Sequence, residues 1–402
     1  MLKSAFFRFS LIIVFSLTAG CQTLRDLHLK APALETVYDF DAGLPDDMDI
    51  TSLELAASES VKYYEKLKPS RIFRVGGRKV SVKTLLASVK RIVEIFKQTG
   101  DAKERERLIV REFNIYRGTG HYRLGNVLVT GYYQPVLNGS LTKDKTHKWP
   151  LYAKPADLVT VNLGDFYKSL KGKRVTGRVK NGRLIPYHDR MAIDRKGVLA
   201  GSGLEIVWVD DPVDVFFLQV QGSGVVRLSD GTEFYANYSA VNGRAYRSIG
   251  WFLIKNGAIP RKEMSLTAIR KWLNKNPGEL ERVLDYNPSY VFFKRMDDGP
   301  FGSTGAKLVA GRSAAFDPRR FPKGALAHIT VDTPVIENGE VVKWKKVERF
   351  VFNHDQGGAI KGPTRMDLFF GKGDNAGLRA GFMKNPGTLL FLVLKDRFVS
   401  AY

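Results

Sequence analysis

One glycine-rich segment, Val351–Gly381, constrains the fold of this chain most strongly. It reads VFNHDQGGAIKGPTRMDLFFGKGDNAGLRAG and carries three aspartates among seven glycines. The apolar residues before Asp355 and after Asp367 are typical of two short strands, and the glycines permit tight turns or the close approach of another group. The segment therefore predicts that one strand ends near Asp355 and another begins near Asp367, so that both carboxylates reach one cleft of a β-barrel.

A second interpretation of this segment is a surface hairpin with solvated aspartates, because loops are polar in any protein. The segment Leu308–Ile329 favours a functional site over a surface hairpin. Its Asp317-Pro318 pair and its Pro322–Gly324 triplet are turn signals between two apolar runs. The chain thus has a further aspartate, Asp317, at a turn between predicted strands.

The three aspartates Asp317, Asp355 and Asp367 stand in settings that resemble the 3D domain, which is named for three such residues. The chain from about 120 to 400 also resembles the family of membrane-bound lytic murein transglycosylase A, through motifs in the order of that family. Members often have Thr where this chain has Gln356, a difference that leaves the neighbouring carboxylate in place. The matching motifs are TGYYQP (Thr130–Pro135), QGSG (Gln221–Gly224), NGRAYRSIG (Asn242–Gly250), NPSYVFF (Asn287–Phe293), AGRSAAFD (Ala310–Asp317) and DQGGAIKG with RMDLFFG (Asp355–Gly371).

The resemblance implies a mainly β fold with N-terminal helices. A double-psi β-barrel domain and a smaller inserted α+β domain, itself barrel-like, would enclose a cleft. The barrel domain would comprise residues 51–140 and 286–402, with the 3D segment at about 305–375, and the inserted domain residues 141–285. The strands predicted after Asn287 suit a small closed barrel. They are Val291–Phe293, Ala325–Val331, Glu348–Asn353, Leu368–Phe370 and Thr388–Leu394.

Helices are predicted before the barrel strands, and short strands in the middle of the chain. A capping-box pattern begins one helix, and an apolar stripe marks the next. Stripes at helical spacing are usually core, so these helices are expected to be structural. The predicted helices are Thr51–Leu67, Ser81–Gln98 and Ala102–Tyr116. The predicted strands of the middle block include Ile206–Val209, Val215–Gln221 and Val225–Leu228.

Residues 1–20 have the pattern of a signal peptide. Lys3 and Arg8 supply a positive start, the apolar run is too short to cross a bilayer, and Leu17–Cys21 resembles a bacterial lipobox. Cleavage before Cys21 and its acylation would anchor the mature chain by lipid. Gln22, in place of Asp, favours the outer membrane of a Gram-negative cell, with the protein facing the periplasm. The alternative is an ordinary signal peptide followed by a chance cysteine. Residues 21–50 are expected to be a tether that settles onto the domain.

The chain is strongly basic, with a formal net charge of +22. In a cytosolic protein this charge would indicate nucleic acid, but export argues against such a partner. The expected partners are anionic: peptidoglycan glycan strands, whose sugars and peptides carry carboxylates, and membrane lipid. Cell-wall synthesis proteins are further candidates. The single cysteine excludes an internal disulfide, and the six histidines show no HExxH spacing, so no metal or cofactor is expected.

The resemblance also implies how the aspartates would cleave a glycosidic bond. Most glycosidases use two carboxylates. A lytic transglycosylase needs one, because the C6 hydroxyl of N-acetylmuramic acid attacks C1 and closes a 1,6-anhydro ring. Asp367 matches the family's catalytic position and has the more apolar neighbours, which favours the raised pKa of a general acid. Asp355, between His354 and Gln356, has polar neighbours that favour its ionised form, and it is expected to position Asp367 or the sugar. Asp317 is expected to brace the barrel.

Several residues near the predicted strand ends are candidates for contact with the substrate. They are Thr130, Tyr132, Tyr133, Gln221, Gly222, Ser223, Lys361 and Arg365. Tyrosine is also an ordinary strand former, and Gln221–Gly224 can be a plain glycine turn after a buried strand. Three hypotheses stay open: a transglycosylase that uses Asp367 alone, an inverting hydrolase in which Asp355 activates a water, and a wall-binding lipoprotein without activity.

Overall fold

A computed structural model of the chain describes residues 33–38, 40, 43–120 and 125–402. The predicted signal peptide, Cys21 and the first part of the predicted tether lie outside the described residues. Within those ranges, no helix combines the length and the apolar character needed to cross a membrane.

Strands predominate among the described residues, and helices cluster before the barrel and in the middle of the chain. The strands are β1 (Leu34–Val37), β2 (Ile72–Val75), β3 (Arg78–Ser81), β4 (Phe113–Gly118), β5 (Asn126–Gln134), β6 (Val136–Ser140), β7 (Trp149–Tyr152), β8 (Val159–Asn162), β9 (Arg174–Lys180), β10 (Arg183–Pro186), β11 (Glu205–Val209), β12 (Ser223–Leu228), β13 (Glu233–Val241), β14 (Val291–Met296), β15 (Ser313–Ala315), β16 (Leu326–Glu337), β17 (Glu340–Asp355), β18 (Arg365–Lys372) and β19 (Lys384–Leu394). The α-helices are α1 (Ile50–Glu65), α2 (Val82–Gln98), α3 (Ala102–Glu112), α4 (Arg190–Asp194), α5 (Pro212–Gln221), α6 (Ile249–Lys255), α7 (Leu266–Lys275), α8 (Leu280–Asp285), α9 (Asp374–Phe382) and α10 (Asp396–Val399).

Six strands close into a barrel. The largest sheet has the order β1-β4-β19-β16-β17-β15-β18-β5, and β19 also pairs with β5. The closed ring is therefore β19-β16-β17-β15-β18-β5, and β4 and β1 extend from β19. Within the ring, β15 pairs with β17 and β5 pairs with β18 in parallel. This topology brings the C-terminal ends of β15 and β17 beside the start of β18.

The barrel and the first helices share one apolar core. The stripe predicted on α2 is buried, since Leu85, Val89 and Ile92 are each at most 2% exposed. The hydroxyl of Ser81 caps this helix by accepting the backbone N–H of Thr84. Phe350 and Phe352 of β17 belong to the same core. The helix predicted at Ser81–Gln98 is confirmed, and its role is to cover the barrel.

A second sheet is built from the middle of the chain. Its order is β14-β13-β12-β6-β11-β7, and a separate three-stranded sheet has the order β10-β9-β8. The chain leaves the barrel at Pro135, between β5 and β6, so the expected edges of an inserted domain, 141 and 285, differ from the points where the chain changes sheets. Strand β14 was predicted in the barrel but pairs with β13, because Phe292 and Phe293 are buried in apolar clusters of this middle segment.

The strand predicted at Val215–Gln221 is wrong, because this run lies in helix α5. Asp211 caps the helix by accepting the backbone N–H of Val213, and Pro212 occupies its first turn. Gly222 ends the helix with a φ of 87°, a conformation that glycine adopts without strain. Most of the helix is buried, so its sequence is apolar on nearly all sides and the helical period is hidden.

Two helix boundaries also differ from the prediction. Asp49, rather than Thr51, caps α1 by accepting the backbone N–H of Ser52. The helix expected at Ala102–Tyr116 ends at Glu112, and the residues that follow form β4. Pairing of β4 with both β19 and β1 outweighs the local helical pattern.

The last residues of the predicted tether are bound to the barrel. Arg312, which is fully buried, donates from Nη1 and Nη2 to the two carboxylate oxygens of Asp46 at 2.5 and 2.8 Å. Arg349 donates in the same two-pronged manner to Asp47, at 2.8 and 2.7 Å. Paired charges of this geometry fix the chain before α1 against β17 and the start of β15.

Candidate active site

The two central aspartates lie in one row across the barrel wall. Ala315 of β15 pairs with Asp355 of β17 on one side and with Asp367 of β18 on the other. Thr130 of β5 continues the row beyond Asp367. Neighbouring strands are about 4.8 Å apart, so about 10 Å separates the two aspartate backbones. In this row, only the small side chain of Ala315 stands between the carboxylates.

Few groups near Asp367 stabilise its ionised form. The hydroxyl of Thr130 donates a hydrogen bond to its Oδ1, and Arg365 donates to that hydroxyl at 3.3 Å. Burial raises the pKa of Asp367, while the Thr130 hydroxyl and the positive charge of Arg365 oppose the rise without cancelling it. The carboxyl group can therefore carry a proton nearer neutral pH than an exposed aspartate can.

Asp355 ends β17 and is bound by two backbone donors. The N–H groups of Ser303 and Gln356 donate to its Oδ1 at 2.9 and 2.8 Å. Burial nevertheless raises the pKa of Asp355 to about 6, against these two N–H groups and the nearby charge of Lys323. Its polar sequence neighbours predict an ionised Asp355, and burial by the folded chain opposes that ionisation. Asp355 is still mostly ionised at neutral pH.

The hydroxyl of Tyr132 faces both carboxylates. Burial raises the pKa of Tyr132, and the charges of Asp355 and Asp367 raise it further. Its hydroxyl makes no hydrogen bond of normal geometry to any described residue, and its ring centroid lies 5.2 Å from that of Phe369. This buried hydroxyl lies beside Asp355 and helps to position that carboxylate.

Asp317 is bound differently from the other two aspartates. Arg319 donates to it from its backbone N–H, its Nε and its Nη2, at 3.0, 2.9 and 2.7 Å, and the backbone N–H of Gly362 donates at 2.7 Å. Burial alone would raise the pKa of Asp317, but these bonds together lower it to about 2. Asp317 is therefore ionised and ties the β17–β18 loop to the turn after β15.

Three further residues shape the Asp355 side of the site. Lys323 is close enough for its charge to act on Asp355, and its Nζ lies 3.4 Å from the carbonyl oxygen of Ser303. His354 is buried between the hydroxyls of Ser60 and Ser313, at 2.9 Å from each. Burial lowers the pKa of His354 to about 3, so it is neutral and fixes the end of β17. Ser303 and Lys323 are not among the site residues predicted from the sequence, although both stand in glycine-containing turns.

The predicted substrate residues Gln221–Ser223 of the middle segment contact the barrel through the side chain of Gln221. The backbone N–H of Tyr133 donates to Oε1 of Gln221 at 3.2 Å. Gly222 is the helix cap described above, and Ser223 begins β12, so this motif follows a helix rather than a strand. The ring of Tyr133 packs against Gly377 of α9 and belongs to the edge of the barrel core. Successive strand residues point to opposite sides, so Tyr133 lies on the other side of β5 from Tyr132, and its contact with the substrate stays a prediction.

The two predicted basic residues have different positions. Arg365 acts on Asp367 and also donates to the carbonyl oxygen of Ala359 at 3.2 Å. Lys361 is exposed and contacts neither Asp355 nor Asp367 among the described residues. In the same part of the chain, no group of three or more metal-binding side chains comes together.

Comparison with known protein families gives two matches. The MltA specific insert domain matches residues 128–294, and the 3D domain matches residues 312–393. The first match runs from β5 into β14 and so contains nearly all of the sheet β14-β13-β12-β6-β11-β7. The second contains Asp317, Asp355 and Asp367 with the strands that carry them.

Comparison with individual proteins gives the same family. Membrane-bound lytic murein transglycosylase A of Vibrio cholerae is 32% identical over 280 residues, which are 69% of this chain and 68% of the relative. The crystal structure of a membrane-bound lytic murein transglycosylase from Agrobacterium tumefaciens is 28% identical with a TM-score of 0.73, covering 91% of this chain and 99% of that one. Escherichia coli MltA with bound chitohexaose is 25% identical with a TM-score of 0.67, covering 91% and 95%. The chain belongs to the family of membrane-bound lytic murein transglycosylase A, a family of enzymes.

Proposed function

We propose that this protein cleaves the β-1,4 bond between N-acetylmuramic acid and N-acetylglucosamine in peptidoglycan and leaves 1,6-anhydro-N-acetylmuramic acid ends. The setting of Asp367 carries the proposal, because burial raises its pKa and a single hydroxyl is bonded to its carboxylate. A general acid must hold its proton near the working pH; burial raises the pKa of both Asp367 and Asp355, and the carboxylate of Asp367 has the fewer donors. Chitohexaose bound to the Escherichia coli relative supports a glycan as the ligand.

One carboxyl group can complete this reaction. Protonated Asp367 gives its proton to the glycosidic oxygen as the bond from C1 to that oxygen breaks. The resulting carboxylate then takes the proton of the C6 hydroxyl while O6 bonds to C1 and closes the anhydro ring. No water is consumed, and Asp367 ends protonated, as it began. Thr130 and Arg365 would stabilise the carboxylate between the two steps, because both favour the charged form of Asp367.

In this mechanism Asp355 positions the sugar rather than reacting. It is mostly ionised near neutral pH and is held by the N–H groups of Ser303 and Gln356. Its remaining oxygen can accept a hydrogen bond from a sugar hydroxyl or amide. Tyr132, whose buried hydroxyl lies beside Asp355, would help to hold that carboxylate in place.

A specific observation favours a second candidate, the inverting hydrolase. Inverting enzymes hold their two carboxyl groups about 6.5–9.5 Å apart, so that a water fits between them. Backbones about 10 Å apart, with Ala315 between them, are compatible with that spacing. In this reaction Asp355 would take a proton from water, and the product would be a reducing sugar. A wall-binding lipoprotein without activity is the third candidate, and the raised pKa of both acids argues against it.

The product distinguishes these candidates. Digestion of purified sacculi followed by mass spectrometry should give muropeptides with 1,6-anhydro ends, each lighter by one water than the hydrolytic product. Reducing muramic acid ends as the main product would overturn the single-aspartate mechanism in favour of the hydrolase. Intact sacculi after binding of the protein would support the inactive wall-binding protein.

We also propose that the mature protein is an outer-membrane lipoprotein that faces the periplasm. The lipobox-like Leu17–Cys21 supports this, and relatives are named membrane-bound. Cys21→Ala should release the protein from membranes, because the acylated thiol is the proposed anchor, while the isolated protein still cleaves sacculi. Fractionation of the variant with membranes through a high-salt wash would contradict lipid anchoring.

The ring of β5 and β15–β19 is proposed to have double-psi topology, and the middle segment to be an inserted domain. A glycan would lie in the cleft between them. The two parallel strand pairs of the ring and the contact of Gln221 with Tyr133 support this arrangement. Glycan-dependent protection of amide hydrogens on both β18 and the Gln221 motif would be expected, and protection confined to one of them would contradict a shared cleft.

A further inference from the structure

The three-stranded sheet β8–β10 presents an exposed apolar face. In its register, Val159 pairs with Gly177, Val161 with Val175, and Leu184 with Val179. Because paired residues point to the same side and alternate along each strand, the aliphatic side chains collect on one face. That face consists of Val159, Val161, Val175, Val179 and Leu184.

Nothing in the described part of the chain covers this face. Val179 is 59% exposed, Val175 43%, Leu184 40% and Val159 37%. Phe166 and Tyr167, in the connection between β8 and β9, are 71% and 66% exposed. An exposed apolar patch on a folded domain usually marks a site that binds a protein, a ligand or a membrane.

Positive charge flanks the apolar face at both ends. Residues 159–186 contain seven Lys and Arg residues and one acidic residue. Lys168, Lys171 and Lys173 lie in the β8–β9 connection, and Lys180 and Arg183 flank the β9–β10 turn at the opposite end. None of the seven makes an ion pair with any described residue. The sheet therefore combines aliphatic side chains with unpaired cations.

We propose that this sheet docks on an anionic lipid surface, with the aliphatic face at the boundary of headgroups and acyl chains and the cations on lipid phosphates. Aliphatic side chains gain from the acyl region, and each lysine or arginine near an anionic membrane contributes about 1 kcal/mol. Sugars and peptide stems are polar and would leave the valines exposed to water. A second copy of this chain would bring like charges together.

A similar surface on the β16–β17 hairpin provides a matched control. Val342 and Trp344 are 50% and 46% exposed there, and three lysines stand beside them. Residues 332–346, however, contain three acidic residues as well, so the hairpin has no net charge. It offers comparable apolar exposure without the attraction to anionic lipid.

The experiment uses the mature chain with Cys21→Ala, which has no lipid and no other cysteine. Val179→Cys or, as the control, Val342→Cys is labelled with an environment-sensitive fluorophore. Each protein is mixed with phosphatidylcholine vesicles that contain or lack phosphatidylglycerol. The label at position 179 should shift to shorter wavelength with the anionic vesicles only, and the label at position 342 should not shift.

Binding constants give the second measurement. Lys168→Gln, Lys171→Gln and Lys173→Gln together should weaken binding to anionic vesicles on the order of a hundredfold, since each charge is worth about fivefold. Val175→Thr, Val179→Thr and Leu184→Thr should also weaken it, while thermal unfolding and sacculus cleavage stay unchanged. Unchanged vesicle binding in both triple variants would overturn the proposal. So would a shift in oligomeric state, which indicates a second copy, or weaker sacculus binding alone, which indicates the wall.

Because vesicle binding is measured without peptidoglycan, its failure would not affect the proposed cleavage, and a failure of cleavage would not affect the docking surface.

Discussion

Asp317 and Asp367 lie on neighbouring parts of one barrel, yet their carboxyl groups behave in opposite ways. Burial is the largest single influence on both, and in both it raises the pKa. Asp317 receives four hydrogen bonds, three from Arg319 and one from Gly362, and its pKa falls to about 2. Asp367 receives one, from a hydroxyl, and its pKa stays raised.

The difference shows that the bonds from the Arg319 side chain and from two backbone N–H groups outweigh burial at Asp317, whereas one hydroxyl does not outweigh it at Asp367. A carboxylate with all its oxygens bonded stabilises the fold only in its charged form. A carboxyl with few donors keeps its proton and can give it away. Asp355 has two backbone donors, and burial still raises its pKa to about 6.

The largest expected effect is that of Asp367→Asn on catalysis. Asparagine keeps the shape and can still accept the Thr130 hydrogen bond, but it has no proton to give. General acid–base catalysis is typically worth ~10²–10⁴-fold, so the initial rate of muropeptide release from sacculi should fall by about that factor. Glycan binding, measured by calorimetry with an uncleaved oligosaccharide, should persist.

The matched control is Asp374→Asn, an exposed aspartate in the first turn of α9 that follows the same strand. It removes the same charge from the same region, and its rate should equal that of the wild type. If both variants lost activity equally, the loss would reflect the charge of the region, and the assignment of Asp367 as the acid would be wrong.

The next effect is that of Asp317→Asn on stability. The pKa of Asp317 is lowered from 3.8 to about 2 on folding, so its charge stabilises the native state above pH 4. The stability is lost as the pH falls through about 2. The variant should unfold more easily at neutral pH by on the order of 2 kcal/mol in urea, and the difference should vanish in acid.

Asp332→Asn is the control for this measurement. Asp332 is an exposed residue of β16 whose carboxylate has no hydrogen-bond partner among the described residues, so its removal should change the free energy of unfolding little. Equal destabilisation by both variants at neutral pH would show that the bonds to Arg319 and Gly362 do not account for the stability of the Asp317 turn.

The sequence predicts the ends of the active-site strands better than their neighbours. Glycines and turns mark Asp355, Asp367 and Asp317, because a chain that must reverse direction needs those residues locally. Ala315 gives no such signal. Its place between the two acids depends on the pairing of β15 with both β17 and β18, and register between distant strands is set by the whole barrel.

Burial explains the errors in the middle of the chain. Helix α5 is apolar on nearly all sides because other elements cover it, so its period is invisible in the sequence. Strand β14 has the same pattern as a barrel strand, and only the partners of Phe292 and Phe293 assign it to the second sheet. The raised pKa of Asp355 has a related cause, because its polar sequence neighbours say little about what covers the side chain after folding.

The smallest expected effect concerns Asp355→Asn, and its sign is opposite to that of Asp317→Asn. Folding raises the pKa of Asp355 from 3.8 to about 6, so its ionisation destabilises the native state progressively as the pH rises between these two values and fully above about 6. Asparagine carries no charge and can still accept the N–H groups of Ser303 and Gln356 on its oxygen. The variant should therefore be more stable than the wild type at about pH 8, by on the order of 1 kcal/mol because the side chain is partly exposed, and equal to it below about pH 4. Urea unfolding at both pH values measures this, and a variant less stable at about pH 8 would contradict a raised pKa.

The activity of Asp355→Asn completes the comparison. If Asp355 only positions the sugar, the rate of sacculus cleavage should fall far less than in Asp367→Asn, and an equal fall would indicate that Asp355 activates a water.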